Sequence, residues 1–464
     1  MRNKELITSL FCAAGLTLTG AGVAHAQMAK SILETGDAFS GASGTLTLTD
    51  FDSQNLFNIN GAGGFALRAT DSSGAEPVDF MLASTTGETP SVAAEFGTIG
   101  GETVGQFLFA PDLSDSGDVV FIGKNSDTNV DFAFKNNTAI ATEGDAIPDF
   151  TAAAYRAISR PQISSDGDSV SVRVTTDPPG GAILTDVTSG STTPVLRWIF
   201  GDASNTDSIT VDGSNETFTA AFDQDYEVSS DGSQSINIPD ISFNPFIDKV
   251  LTLSSISGST VTTEAAEAGG VAIREGTVVP DSAGGDGVST WDSFLRLAIA
   301  NDGSYVATGN LETALEDTEQ EGTDDDFVLK DGQIVLREGE TITAGTVTGD
   351  TSGMEMNNDG DWVVLWGVDD GVSEKQALIV NGEAVLTEGD LVEYDGGETA
   401  LTGIRTGADV LGITDADDAG LFDVYFVGDT AEGTGLFSTT IPEPSTAVIF
   451  GLAGLGLLAR RRHA

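Results

Sequence analysis

The segment NNDGDWVVL at residues 357–365 combines a polar turn with an apolar strand, and this combination recurs along the chain. In each copy a cluster of Asn, Asp or Ser precedes a glycine, and a short apolar run follows. The aligned glycines are Gly63, Gly117, Gly167, Gly232, Gly303, Gly360 and Gly420. Because small polar residues before a glycine are typical of tight turns, each copy predicts a turn that leads into a strand.

A second recurring feature is a hairpin signal between two apolar runs. It occurs at Asp331-Gly332 and Asn381-Gly382, and Asn136-Asn137 takes the same place in an earlier unit. These residue types tolerate the positive φ angles of a type I′ turn, so they predict β-hairpins. The hairpins end at Glu-Gly pairs at residues 143–144, 275–276, 338–339 and 388–389. Each unit of about 60 residues is therefore predicted to contain four strands.

Seven such units predict an all-β fold, and a β-propeller of seven four-stranded blades accommodates them better than a sandwich does. Radial stacking of blades buries both faces of each small sheet. The repeat domain is assigned to residues 27–440. The last unit lacks a Glu-Gly end, whereas the segment ILETGD at residues 32–37 resembles one. The first strand of the domain is therefore predicted to complete the last blade.

The two ends of the chain have the composition of targeting segments. Residues 1–26 combine Arg2 and Lys4, an apolar stretch and an A-x-A site at Ala24 and Ala26, which is typical of a secretory signal peptide. Residues 441–464 contain an apolar run that is shorter than the roughly 20 residues of a membrane-spanning helix. A hydrophobic sorting helix with transient membrane contact is predicted there.

The C-terminal segment resembles a known family of sorting signals. Its Pro442-Glu443-Pro444 triplet, its Gly- and Leu-rich run and its terminal Arg460, Arg461 and Arg462 are similar to the PEP-CTERM signal of Gram-negative-type bacteria. The resemblance implies recognition by an exosortase at the inner membrane and cleavage near the triplet. It also implies a species that produces an extracellular polymeric matrix. The route of the protein follows from this resemblance, whereas an activity does not.

The repeats resemble a second family, the tandem-repeat bacterial surface proteins that end in interchangeable anchoring signals. Their units carry Asn-x-x-Gly before an aliphatic or aromatic strand and a later Glu-Gly-Asp, as residues 357–360 and 388–390 do here. The resemblance covers most of residues 61–440. It implies an exported, β-propeller-like protein without an established activity.

The charge and residue usage exclude several classes of function. The chain has 20 Lys and Arg against 72 Asp and Glu, a net charge of −52 at pH 7, so nucleic acids and anionic headgroups are repelled. Its Cys12, His25 and His463 lie in the segments predicted to be removed. A Cys nucleophile, a Ser-His-Asp triad and the usual zinc site are therefore excluded from the mature protein, and no enzymatic activity is expected.

Three kinds of side chain remain as candidates for binding or chemistry. Asp415, Asp417 and Asp418 are candidate calcium ligands, although Asp before Gly also simply shapes a turn, and otherwise no cofactor is expected. Paired carboxylates for glycoside hydrolysis cannot be assigned without distances. Among the aromatic residues, Trp362 and Trp366 share a strand and are predicted to be core residues, whereas Trp291 is the better candidate for a surface that stacks on sugars.

The sequence thus predicts an exported, non-catalytic protein of the cell surface or extracellular matrix, sorted by an exosortase-type system. The expected partners are the exosortase, the secretion machinery and exopolysaccharide or other matrix components. Two alternatives remain. One is a calcium-dependent adhesin or carbohydrate-binding propeller, and the other is a secreted carbohydrate-active enzyme that uses paired carboxylates.

Overall fold

The computed structural model describes residues 28–51, 57–86, 89–145, 154–163, 167, 170–177, 180–185, 195–201, 208–211, 216–220, 226–230, 234–238, 254–257, 260–263, 278–285, 287–299, 305–312, 326–407 and 410–442. These residues form an all-β structure with a single short 3-10 turn at Asp281–Ala283. In this part of the chain no helix combines the length and the apolar character that crossing a bilayer requires. The predicted signal peptide and residues 443–464 of the predicted sorting helix lie outside the described residues.

The strands follow one another closely along the chain. The first half contains β1 (Lys30–Glu34), β2 (Ala38–Ser40), β3 (Thr45–Thr47), β4 (Asp50–Phe51), β5 (Phe57–Ile59), β6 (Phe65–Asp71), β7 (Val78–Ser84), β8 (Ser91–Glu95), β9 (Gly97–Ile99), β10 (Glu102–Val104), β11 (Gln106–Leu113), β12 (Val119–Lys124), β13 (Asp131–Lys135), β14 (Thr138–Thr142), β15 (Ala154–Ile163), β16 (Val170–Asp177), β17 (Gly180–Thr185) and β18 (Val195–Gly201). The second half contains β19 (Ser208–Val211), β20 (Glu216–Ala220), β21 (Tyr226–Ser230), β22 (Gln234–Ile238), β23 (Ser254–Ser257), β24 (Thr260–Thr263), β25 (Thr290–Ile299), β26 (Tyr305–Glu312), β27 (Asp326–Lys330), β28 (Gln333–Arg337), β29 (Thr341–Ile342), β30 (Gly345–Met356), β31 (Trp362–Asp369), β32 (Glu374–Val380), β33 (Glu383–Thr387), β34 (Leu391–Tyr394), β35 (Gly397–Ile404), β36 (Leu411–Ile413), β37 (Leu421–Thr430) and β38 (Thr434–Pro442).

The described sheets have the strand order of propeller blades. Four of them, β11–β14, β15–β18, β19–β22 and β25–β28, are four-stranded with their strands in chain order. The sheet β29–β33 adds one short strand to this pattern. We call the sheet of β4–β8 the first sheet and the sheet of β1 and β34–β38 the last sheet. In the first sheet, β4 and β5 both pair with β6, so its leading strand is interrupted.

Neighbouring sheets pack against each other through one strand of each sheet. Strand β25 contacts β30, β30 contacts β36, β36 contacts β5, β5 contacts β11, and β11 contacts β15. This series continues from the last sheet to the first, which is the arrangement of a β-propeller. The chain is therefore all-β and propeller-like, while the count of seven blades stays a prediction.

The recurring polar turn has the same hydrogen bonds in several copies. At residues 357–361 the Oδ1 atom of Asn357 accepts the backbone N–H of Asp361 at 2.8 Å, and the N–H of Gly360 donates to the carbonyl of Asn357. Asn60, Ser114 and Asp417 accept equivalent bonds from Gly64, Asp118 and Leu421. Gly360 has a φ angle of +86°, which only glycine adopts without strain. The pattern read from the sequence is therefore a side-chain-closed turn.

The predicted completion of the last blade by the first strand is confirmed. Strand β1 pairs with β38 in antiparallel fashion, with Leu33 opposite Leu436. The N–H of Gly36 donates to the carbonyl of Leu48, and the N–H of Leu48 donates to the carbonyl of Asp37. The same two bonds occur at the Glu-Gly ends at residues 143–145, 338–340 and 388–390. The N-terminal segment therefore supplies the turn that the last unit lacks.

The burial of the tryptophans agrees only partly with the sequence prediction. Trp362 and Trp366 are buried core residues, as predicted. The prediction that Trp291 lies on the surface is wrong, since the residue is 2% exposed. Its ring packs edge-on against Phe327 at a centroid distance of 5.1 Å. Its position on β25 places it inside, although the Gly-rich sequence before it resembles a surface loop.

Candidate functional site

A pocket of about 700 Å³ lies where the last sheet meets the first sheet. Strand β37 and the adjacent end of β38 form one side, and the turn at residues 61–63 forms another. Because side chains alternate along a strand, Leu421, Asp423 and Tyr425 of β37 all point to this side. The lining contains Thr86, Thr414, Thr440 and Asp415 but no Lys, Arg or His. The pocket is therefore polar and negatively charged.

Asp423 is a carboxylate of the lining that is bonded to two threonines. The Thr440 hydroxyl donates to its Oδ1 atom at 2.6 Å, and its backbone N–H donates to the Thr414 hydroxyl oxygen at 2.9 Å. Within the described residues, no group donates to the Oδ2 atom of Asp423. This carboxylate oxygen therefore remains an acceptor for a ligand.

Tyr425 is buried in the lining, at 7% exposure, as is Thr414. Burial, followed by the negative charge of Asp423, raises the pKa of its hydroxyl to about 12. The hydroxyl has no hydrogen-bond partner in the part of the chain that the structure describes. A Cβ atom at Gly63 would stand 3.3 Å from the Tyr425 hydroxyl oxygen, so the glycine keeps this corner of the pocket open. Tyr425 therefore presents a protonated hydroxyl to any ligand.

Asp415 joins three sheets at the rim of the pocket. Its carboxylate accepts the backbone N–H and the side-chain Nδ2 of Asn358 at 2.9 and 3.1 Å. Its own N–H donates to the carbonyl of Gly61 at 2.9 Å. Desolvation, followed by repulsion from Asp415, raises the pKa of Asp115 on the next turn. Negative charge therefore accumulates where the sheets meet.

The three candidate calcium ligands do not converge. Asp415 is held by Asn358, whereas Asp417 accepts the N–H groups of Ala419 and Leu421 and so shapes its own turn. Asp418 is exposed beside it. Among the described residues, no group of three or more His, Cys, Asp or Glu could hold a metal ion. The turn-shaping interpretation of Asp417 is confirmed, and the calcium alternative stays a prediction.

The crowding of carboxylates predicts a small stabilising substitution. A raised pKa means that the folded chain binds more protons than the unfolded chain near and above the ordinary Asp pKa, so stability falls as the pH rises through that range. Asp115→Asn is therefore expected to raise the free energy of unfolding by about 0.5 kcal/mol at pH 7, since the residue is exposed. Urea unfolding at pH 7 and pH 4 measures this. The gain should shrink at pH 4, and a loss of stability at pH 7 would contradict the expectation. The exposed Asp127→Asn serves as the control.

The predicted sorting residues lie at the edge of the described structure. Pro442 is the last residue of β38 and is paired with Leu421. Glu443, Pro444 and the arginines at 460–462 lie outside the described residues, as do Ala24 and Ala26. The predicted sorting segment, which starts at Ile441, therefore overlaps the last two residues of β38.

The sequence prediction missed Asp423, Tyr425 and Thr440 as site residues. The alternation of residues 421, 423 and 425 after a turn is visible in the sequence. Nothing local distinguishes these residues from other alternating strands of the chain. The site exists because β37 faces a turn more than 350 residues earlier in the chain, at residues 61–63.

Solved structures share only a remote likeness with the chain. They include the β-propeller domain of the Trilobed protease from Pyrococcus furiosus, with 10% identity, a TM-score of 0.39 and coverage of 84% of this chain and 95% of that one. The Pyrococcus horikoshii acylaminoacyl peptidase has 10% identity and a TM-score of 0.39 over 90% of this chain and 54% of its own. The polysaccharide lyase Uly1 has 10% identity and a TM-score of 0.38 over 90% and 99%. TM-scores this low carry no argument about this chain. No curated protein matches it.

The C-terminal segment matches a family model. Residues 440–462 match the PEP-CTERM protein-sorting motif, which confirms the resemblance seen in Pro442-Glu443-Pro444 and the terminal arginines. The match starts inside β38, at Thr440, which also lines the pocket. The motif indicates sorting by an exosortase-type system. The chain is therefore an exported protein with a destination in the cell envelope, and its sorting motif begins in the closing strand of a propeller-like fold.

Proposed function

We propose that the protein is a non-catalytic component of the cell surface or the extracellular matrix, delivered by its PEP-CTERM segment. The observation that carries this proposal is the sorting motif at residues 440–462, which follows directly from a folded, acidic β-domain. Association with matrix polysaccharide and the absence of catalysis are parts of the proposal.

The use of the polar side chains supports a non-catalytic role. Asn60, Ser114, Asn357 and Asp417 each close a turn through a side-chain oxygen. The segment predicted to remain after processing, residues 27–440, has no His or Cys. These polar residues are thus engaged in holding loops in place, which is a structural use of them.

The recurrence of the hydrogen bonds supports membership in the tandem-repeat surface family and a domain of seven blades. Both the Asn-x-x-Gly turns and the Glu-Gly ends use the same bonds wherever they are described. In this proposal each unit is one blade, and β1 completes the last one.

The position of the chain ends supports presentation from an envelope. Strand β38 ends at Pro442, and β1 starts beside it because Lys30 pairs with Ser438. The two targeting segments are therefore attached at the same end of the neighbouring strands β1 and β38. A protein held by either segment would turn the opposite ends of β1 and β38, near Glu34 and Gly435, away from the membrane.

The delivery part of the proposal is tested by changing the sorting triplet. Cells of a producing species would express the full chain, the double variant Glu443→Ala/Pro444→Ala, or the control Ser445→Ala. Cell fractionation with immunoblotting is expected to find the native chain and the control in the surface and matrix fractions. The double variant should remain with the inner membrane. Equal distribution of all three proteins would overturn the proposal.

A further inference from the structure

The charge of the pocket between the first and last sheets is not balanced by the residues that line it. Asp415, Asp417 and Asp423 carry carboxylates, and none of them has a salt bridge in the described structure. The lining contains no basic side chain. Unbalanced negative charge of this kind favours a ligand that brings a positive charge, and it disfavours an anionic ligand.

The remaining polar groups of the pocket define the rest of the ligand. Tyr425 is about nine-tenths buried, and its hydroxyl has no partner among the described residues although it faces the cavity. The Oδ2 atom of Asp423 likewise accepts no hydrogen bond from a described residue. The Thr414 hydroxyl accepts the backbone N–H of Asp423, and its own proton can still be donated to a ligand. These groups can donate to and accept from a ligand that carries several hydroxyl groups.

The size and composition favour a sugar over a metal ion or an apolar molecule. A cavity of about 700 Å³ is in the range of sites for small organic ligands. Leu421 is the only large aliphatic residue of the lining, and the other side chains carry hydroxyl or carboxylate groups or are small. The described carboxylates do not converge as metal ligands do. Hydroxyl groups and an ammonium group together match what the walls present.

We propose that this pocket binds an amine-bearing saccharide, such as a short oligomer of glucosamine with free amino groups. The ammonium group lies against Asp423 and Asp415, and the sugar hydroxyls bond to Tyr425, Thr414 and Asp423. The net charge of −52 attracts such a cationic polymer from a distance, and the pocket then selects one of its residues. This inference rests on the proposed function, because a matrix-associated protein meets polysaccharide at its destination.

The test compares three probes with the purified full-length protein by isothermal titration calorimetry at high ionic strength, which screens general charge attraction. The probes are a glucosamine tetramer, the same tetramer fully N-acetylated, and a tetralysine peptide. The glucosamine tetramer is expected to bind and the acetylated one to bind at least tenfold more weakly. Equal affinity of the two sugars would overturn the assignment of a charged ligand. Tetralysine binding as tight as that of the glucosamine tetramer would overturn the assignment of a sugar.

One variant separates the pocket from general charge attraction. Tyr425→Phe removes only the hydroxyl and leaves the net charge unchanged, and it is expected to weaken binding of the glucosamine tetramer about three- to tenfold. Tyr155→Phe is the matched control, since Tyr155 is also buried but lies on β15 away from the pocket. Both variants should keep the native melting temperature. Equal affinity of Tyr425→Phe and the native protein would overturn the proposal.

The two proposals fail in different ways. Loss of binding in a protein that still reaches the surface would overturn the ligand assignment alone. The delivery proposal alone would be overturned by a different pair of results. In that case the purified protein binds the glucosamine tetramer, but the native chain and the Glu443→Ala/Pro444→Ala variant both remain at the inner membrane.

Discussion

Replacing Leu33 with aspartate is expected to destabilise the protein by about 4 kcal/mol or more, because the change places a charge in the closing contact of the last sheet. Leu33 is 2% exposed and lies on β1 opposite Leu436 of β38. On its other side β1 pairs with β34, so the strand is held between two neighbours. A carboxylate there would lie among the apolar side chains of the core, and the strand is expected to detach.

The matched control is Leu391→Asp in the same sheet. Leu391 starts β34 but is 54% exposed, so the same chemical change should cost less than about 1 kcal/mol. Urea unfolding followed by tryptophan fluorescence measures both variants. Limited proteolysis should also cut the Leu33→Asp protein near its N-terminus first. If the two variants unfold at the same urea concentration, the pairing of β1 with β38 does not stabilise the fold, and the expectation is wrong.

Asn357→Ala is expected to cost about 3 kcal/mol, because one buried side chain holds a turn and joins two sheets. Its Oδ1 atom accepts the N–H groups of Asp359 and Asp361 at 3.1 and 2.8 Å. Its Nδ2 atom donates to the carbonyl of Thr414 in the last sheet at 3.0 Å. Alanine leaves all three backbone groups without this partner, and Asn357 is only 4% exposed, so water replaces it poorly.

Asn125→Ala provides the comparison for this variant. The Oδ1 atom of Asn125 also accepts two N–H groups, from Asp127 and Thr128, but these bonds lie in an exposed loop of one sheet. Its replacement is expected to cost about 1 kcal/mol or less. Thermal unfolding of the two variants at equal pH and salt measures the difference. A cost for Asn125→Ala equal to that of Asn357→Ala would show that the bond between sheets adds nothing.

Much of the fold was predictable because its turns are local. The residues Asn357 and Gly360 stand three positions apart, and the bonds that they make close within five residues. The same holds for the Glu-Gly ends, which is why the segment at residues 32–37 could be matched to the missing end of the last unit. Turn chemistry depends on a few neighbouring residues, so it can be read without knowing where the sheets lie.

The prediction failed where burial depended on distant neighbours. Trp291 follows a Gly-rich stretch, and its burial comes from Phe327 on another strand of the same sheet. The leading strand of the first sheet is divided into β4 and β5, and the last sheet carries the extra pair β34 and β35. No local pattern predicts these pairings, since strand partners are chosen by the packing of whole sheets.

The amino-acid order alone was enough for the all-β class, the polar turns, the completion of the last sheet by β1 and the sorting motif at residues 440–462, because each of these depends on short segments. The pocket needed the folded chain. Asp423 and Tyr425 on β37 meet the turn at residues 61–63 only after the first and last sheets come together. Contacts between residues so far apart depend on the packing of the whole molecule, and the pocket arises from that packing.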